Sequence, residues 1–200
     1  LLCDMASNIV YVAAYSSGAG KSTVCASLIR HFLSSKALPP ESLAYIKPVT
    51  QCEAETPVAA FCAAHGITAV PIGPVVFRSG VTNEIIGAVD AAERRRDLLA
   101  QCTSAVLNLS EGHSAVVVDG VGYPTVGTCA GVGGGDVVAA IAKASPPSTS
   151  VSVVLIAPGG LGDAIDTLEL MLQYFTGKGC HVGGVIFNKV RDSARHKRAV

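Results

Sequence analysis

Residues 9–23 read Ile-Val-Tyr-Val-Ala-Ala-Tyr-Ser-Ser-Gly-Ala-Gly-Lys-Ser-Thr, and this stretch decides the fold. Residues 9–14 are β-branched and apolar, the pattern of a buried strand. From Lys21 onward apolar side chains recur at Val24, Leu28 and Phe32, a spacing that predicts a helix over residues 21–35. Between the two, Gly18 and Gly20 let backbone N–H groups turn inward, and the helix that starts at Lys21 adds the positive end of its dipole. Strand, glycine turn and helix N-terminus in that order form a receptor for phosphate oxygens, so Ser17, Gly18, Ala19, Gly20, Lys21, Ser22 and Thr23 are the expected contacts. Lys21 is placed to neutralise the β/γ-phosphates and Ser22 to ligate Mg²⁺. Tyr15 stands where the pattern G-x-x-x-x-G-K-[ST] has its first glycine.

Outward from this stretch the chain alternates short apolar runs with longer helical segments, which predicts a parallel sheet with crossover helices. Strands are expected at residues 43–46, 115–118, 151–157 and 182–187, and helices at 57–65, 88–109, 136–144 and 163–174. Gly66 closes the second helix, Asp136 is an N-cap, and Pro146-Pro147-Ser148 breaks the chain. Residues 75–77 and the Gly-Val-Thr-Asn that follows read as irregular. The charge run Glu93, Arg94, Arg95, Arg96 and Asp97 reads as a solvated helix face. The expected architecture is α/β: a three-layer sandwich with a mostly parallel central sheet and helices on both faces. Residues 191–200 have the polarity of a helix beginning, and such a sheet returns at least once more. The expectation is therefore a single nucleotide-binding domain over residues 1–200, cut from a longer chain that continues past Val200.

Composition narrows the function classes. Half of the 200 residues are hydrophobic and 15% are charged, which excludes disorder as the dominant state. Fifteen Lys and Arg balance fifteen Asp and Glu, so there is no basic footprint for nucleic acid. Seven scattered cysteines without a C-x-x-C spacing suit reduced thiols, hence a cytoplasmic setting, rather than a disulfide framework or a zinc site. No apolar run approaches the ~20 residues that a membrane span needs, and no basic segment precedes an apolar stretch at the N-terminus.

Two further positions belong with the phosphate loop. Val116-Val117-Val118-Asp119 is an uninterrupted apolar strand with a carboxylate at its tip, where it can bind Mg²⁺ directly or through water. Lys47, in Tyr45-Ile46-Lys47-Pro48-Val49-Thr50, sits at a strand's carboxyl end, the edge at which open α/β sheets bind ligands. Residues 120–135 are unusually glycine-rich, with Tyr123, Thr125 and Thr128 as polar handles and Cys129 as an inert thiol; the loop reads equally as a ligand-approaching backbone or as a surface connection.

The phosphate loop, the Lys47-Pro48-Val49 turn, Asp119-Gly120-Val121-Gly122, Gly159-Gly160-Leu161-Gly162 and Val185-Ile186-Phe187-Asn188-Lys189-Val190 together resemble the dethiobiotin synthetase family of P-loop proteins. Its relatives are the nucleotide domain of cobyrinic acid a,c-diamide synthase and the N-terminal domain of some phosphotransacetylases. The resemblance covers residues 8–190. It implies a homodimeric, ATP- and Mg²⁺-dependent ligase that phosphorylates a carbamate or carboxylate of a small-molecule acid before ring closure. It further implies that Lys21 and Lys47 act catalytically, that Ser22 and Asp119 hold the metal, and that Asn188 meets adenine. A guanine-specific Asn-Lys-x-Asp would have Asp where this chain has Arg191, which favours ATP.

Several departures from the family are equally visible. The family carries an acidic residue where this chain has Gly18 and a lysine where it has Gly159-Gly160. Glu53 and Glu55 are the nearest replacements for a second metal carboxylate, and Thr50 and Gln51 follow the Lys-Pro-Val turn in place of a small hydroxyl. The alternative is a non-catalytic or regulatory ATP-binding module of a larger protein. Dimerising ATPase switches of the septum-site and partition type carry a lysine where this chain has Ser16, which disfavours that class.

Overall fold

The computed structural model describes residues 7–190. The chain runs β1 (Asn8–Ala14), α1 (Lys21–Ser34), β2 (Leu43–Ile46), β3 (Val49–Thr50), α2 (Pro57–Ala64), β4 (Thr68–Val70), β5 (Val75–Val76), α3 (Val81–Ile86), α4 (Ala91–Ser110), β6 (Ala115–Asp119), α5 (Gly134–Ala144), β7 (Ser150–Pro158), α6 (Leu161–Gly177) and β8 (Val182–Asn188). Six strands form one parallel sheet in the order β4-β2-β6-β1-β7-β8. β6 lies between β1 and β2, and every residue of it is buried. A strand covered on both faces loses the usual alternation, which is why Ala115-Val116-Val117-Val118 reads as a continuous apolar run. Each valine buried there contributes about 1.5–3 kcal/mol of transfer free energy.

Alternation survives as a division between two cores. Ile9, Tyr11, Ala13, Val116 and Val118 pack with α4, α5 and α6 on one face. Val12, Ala14, Leu43, Tyr45, Ala115 and Val117 pack with α1 and α2 on the other. The result is the three-layer α/β sandwich expected from the sequence, and it is the P-loop NTPase architecture. Successive crossovers leave β1 on one side and β6 on the other, so the carboxyl ends of these neighbouring strands open a crevice at the switch point of the sheet.

Local departures from the sequence expectations have short-range causes. Residues 75–77 are not wholly irregular: Val75 and Val76 pair in parallel with Val49 and Thr50, and α3 begins directly after Gly80. The long helix starts at Ala91 rather than at residue 88, with Asp90 at its N-cap. Asp136 is not an N-cap. α5 begins two residues earlier behind Gly133, and the Asp136 carboxylate instead accepts a 2.7 Å hydrogen bond from Lys178. In the charge run Glu93, Arg94, Arg96 and Asp97 are exposed, but Arg95 is half-buried, its stem close to Gly131. The helix expected over residues 191–200 lies outside the described residues.

Candidate functional site

The first turn of α1 is built to receive an anion. Gly20 precedes it with φ 100°, no side chain caps the exposed N–H groups, and no acidic residue occupies the turn. Only glycine suits this position, because a Cβ would also run into the side chain of Asn188. That amide, at the end of β8, donates to the Ala19 carbonyl at 2.9 Å, and the Lys189 amine donates to the Gly18 carbonyl at 2.6 Å. β8 therefore props the loop from outside.

The parallel register brings the remaining groups together. Val12 of β1 lies opposite Asp119, and Ile46 of β2 lies opposite Val118, so Lys47, the next residue, arrives beside Asp119. The Lys47 ammonium stands 4.0 Å from Asp119 Oδ2. The same oxygen accepts hydrogen bonds from the Ser22 hydroxyl at 2.9 Å and the Tyr45 hydroxyl at 3.1 Å. Asp119 is completely buried. Immediately after it a side chain is excluded: a Cβ on Gly120 would lie 2.7 Å from the Val12 carbonyl oxygen and 3.0 Å from the Tyr11 ring.

Lys21 is 7% exposed, and its ammonium donates to the carbonyls of Gly122 at 2.9 Å and Ser16 at 3.3 Å. Burial lowers its pKa below the ordinary lysine range, with the nearby Asp119 carboxylate opposing that shift. Burial, and secondarily Asp119, pushes the Tyr45 phenol far above its usual range, so it remains a proton donor. A cleft of about 480 Å³ opens over these groups, lined by Ser17, Gly18, Gly20, Lys21, Ser22 and Thr23 from the loop, by Lys47, and by Thr50, Gln51, Cys52, Val121, Gly122 and Lys189.

The residues present suit a hard divalent cation such as Mg²⁺. Ser22 and Asp119 supply oxygen, and because the hydroxyl gives its proton to Asp119, its lone pairs remain for a metal. Asp119 Oδ1 is buried without a hydrogen-bond partner among the described residues, an arrangement that is costly unless another group completes it. No cluster of three or more His, Cys, Asp or Glu side chains suited to a metal occurs among the described residues. Phosphate oxygens and waters would have to complete the coordination. Neither Glu53 nor Glu55 lines the cleft; both are exposed, and Thr56 beside them caps α2.

Ser17, Gly18, Gly20, Lys21, Ser22, Thr23 and Lys47 thus line one crevice, whereas Ala19 is buried beneath it with its carbonyl accepting from Asn188, and Asp119 is buried behind Ser22 and does not itself line the cleft. Lys189, Gly122 and Tyr45 are contributors that the motif reading did not single out. Lys189 had a local signal in the sequence, its place just past the carboxyl end of an expected strand, while its left-handed φ of 58° is seen only in the structure. Tyr123 and Thr125 instead line a separate apolar groove of about 250 Å³ with Tyr15, Leu170, Met171 and Tyr174. Thr128 is turned onto the Thr125 carbonyl.

A strand feeding an uncapped glycine turn, a lysine and serine at the start of the following helix, and a carboxylate at the tip of the neighbouring strand define a P-loop NTPase, a nucleotide-binding domain. Residues 8–200 match the AAA_26 family, an AAA domain, and the chain belongs to that family. No curated protein matches the sequence. Among solved structures, the kinase domain of the tyrosine kinase ETK from Escherichia coli is similar over 96% of this chain and 71% of its own, at 16% identity and a TM-score of 0.59. The chimerical protein CapA2B2 matches 93% of this chain and 77% of its own, at 14% identity and a TM-score of 0.53. Chloroplast FtsY from Physcomitrella patens matches 94% of this chain and 51% of its own, at 14% identity and a TM-score of 0.52. At such identities the likeness is one of fold.

No helix among the described residues is long and apolar enough to cross a membrane.

Proposed function

We propose that this domain is an ATP- and Mg²⁺-dependent ligase of the dethiobiotin synthetase type, phosphorylating a carbamate or carboxylate on a small-molecule acid. The observation that carries the reading is Lys47. A second lysine, on a different strand from Lys21, opens into the same cleft beside the Ser22–Asp119 pair. Phosphoryl transfer is mainly positioning and charge neutralisation, and two ammonium groups in one cleft would provide both. Lys21 would hold the β- and γ-phosphates, released from the Gly122 and Ser16 carbonyls that occupy it in the free protein. Lys47 would stabilise the phosphoryl group in flight. The acid's oxygen attacks the γ-phosphorus, the bond to the β–γ bridging oxygen breaks, and ADP departs. An amine then attacks the mixed anhydride and expels phosphate, closing a ring or forming an amide. Ser22 and Asp119 would hold Mg²⁺, which when bound would supply neutralisation of phosphate charge. Asn188, whose amide already donates to the loop, would meet the adenine. The resemblance supports a homodimer, and six free cysteines among the described residues suit a cytoplasmic, reducing setting.

The alternative, an ATP-binding module without chemistry, has its own support. Gly159 and Gly160 leave open space where the resemblance implies a lysine, with no heavy atom within 4 Å of a Cβ built on either. Phosphate release measured with and without a 7,8-diamino acid and bicarbonate separates the two. Release that depends on the acid supports the ligase, and tight ATP binding with no acid-dependent release supports the module.

A further inference from the structure

Tyr45 is fully buried on β2, opposite Val117, so strand alternation sets it on the same face as Asp119 two residues further along β6. A hydroxyl in such a core is unfavourable unless its hydrogen bond is used. Here it is used at the centre of the site. The phenol donates to Asp119 Oδ2 at 3.1 Å and lies 3.4 Å from Thr56 Oγ1, which in turn accepts from the Ala59 N–H at the start of α2. Ser22, in the first turn of α1, donates to the same Oδ2. Two donors fix one carboxylate oxygen, while the other, Oδ1, has no hydrogen-bond partner among the described residues. With Ser22 alone the carboxylate would keep a pivot, whereas the second donor, approaching from β2, fixes its rotation.

We propose that Tyr45 is a positioning residue for the divalent cation that accompanies the nucleotide, orienting Asp119 from beneath and joining it through Thr56 to the N-terminus of α2. The inference rests on the nucleotide and Mg²⁺ reading above. It makes the buried hydroxyl a determinant of metal affinity and leaves the phosphate loop itself untouched, since Tyr45 does not line the cleft.

The test is Tyr45→Phe, which keeps the ring and removes the hydroxyl. A non-hydrolysable ATP analogue is titrated into the full chain in EDTA and then across a Mg²⁺ series. Groups behind a metal ligand commonly alter metal affinity about 10- to 100-fold, so the Mg²⁺ midpoint is expected to rise by that factor while affinity in EDTA stays within about twofold. Equal midpoints in Y45F and wild type overturn the proposal. So does an equal loss with and without Mg²⁺, which would show a packing role only. If Y45F does not fold, Thr56→Val is read in the same way: it leaves the phenol in place and removes its outer partner, and a raised midpoint with unchanged affinity in EDTA is expected. An unchanged T56V midpoint then overturns the proposal. A wild-type chain that binds the analogue indifferently to Mg²⁺, or not at all, instead refutes the reading underneath.

Discussion

Replacing Lys21 with methionine removes an ammonium while keeping much of the side chain's length and apolar volume. In the free protein Lys21 is 7% exposed, its ammonium donates to the Gly122 and Ser16 carbonyls, and burial disfavours its charge, which lowers its pKa. Its removal should cost the empty fold little, with the melting temperature moving by less than about 4 °C, the shift that ~1 kcal/mol produces in a domain of this size. Binding is a different matter. A hydrogen bond to a charged partner is worth about 1.5–3 kcal/mol, so the affinity for an ATP analogue should fall about 10- to 150-fold. Calorimetric titration and thermal melting of the same K21M sample measure both quantities. Wild-type affinity in K21M would refute the assignment of Lys21 to the phosphates. A collapse of the unliganded melting temperature would show instead that the lysine is a structural strut.

Lys47→Ala should leave affinity for the analogue close to wild type and reduce acid-dependent phosphate release by about 10²–10³-fold, the usual effect of losing one charge-stabilising donor in the transition state; equal turnover would remove Lys47 from the chemistry. Gly120→Ala places a Cβ 2.7 Å from the Val12 carbonyl oxygen, a backbone contact with no easy escape. Urea unfolding should show a loss of about 1–3 kcal/mol, and a neutral result would mean that β1 and β6 can separate locally. Because burial lowers the Lys21 pKa and a bound phosphate raises it, binding takes up a proton at alkaline pH. Nucleotide affinity should therefore weaken as pH rises through the lowered Lys21 pKa. Over the same window the free protein gains stability, since the unfolded chain, with an ordinary lysine, binds more protons there. Lys21→Arg should flatten the binding profile, and a slope shared by wild type and K21R would assign it to another group.

The fold was legible where burial imposes a strong local pattern. β6 announces itself because a central strand is apolar at every position, and α1 because its helical spacing begins where the glycines end. β4, with three exposed or half-buried residues, and the two-residue pair β3 and β5 carry no period to read. Their pairing is decided by where the flanking loops place them. Asp136 misled because aspartate at a helix start suits a cap, whereas its partner Lys178 is 42 positions away in sequence. The site follows the same division. Lys21 and Ser22 sit in one contiguous motif, and Asp119 and Lys47 could be placed by the rule that strand tips face the ligand crevice. The Tyr45 hydroxyl meets Asp119 across 74 positions, through a register between β2 and β6 that no local signal contains.

The most direct test of the site is a calorimetric titration of the wild-type chain with a non-hydrolysable ATP analogue, with and without Mg²⁺, repeated in the presence of a 7,8-diamino acid and bicarbonate. Binding that strengthens with Mg²⁺ is the expected result, and further tightening with the diamine would support the ligase. Absence of binding under all of these conditions would contradict the assignment of the Lys21–Ser22–Asp119 crevice as a nucleotide site.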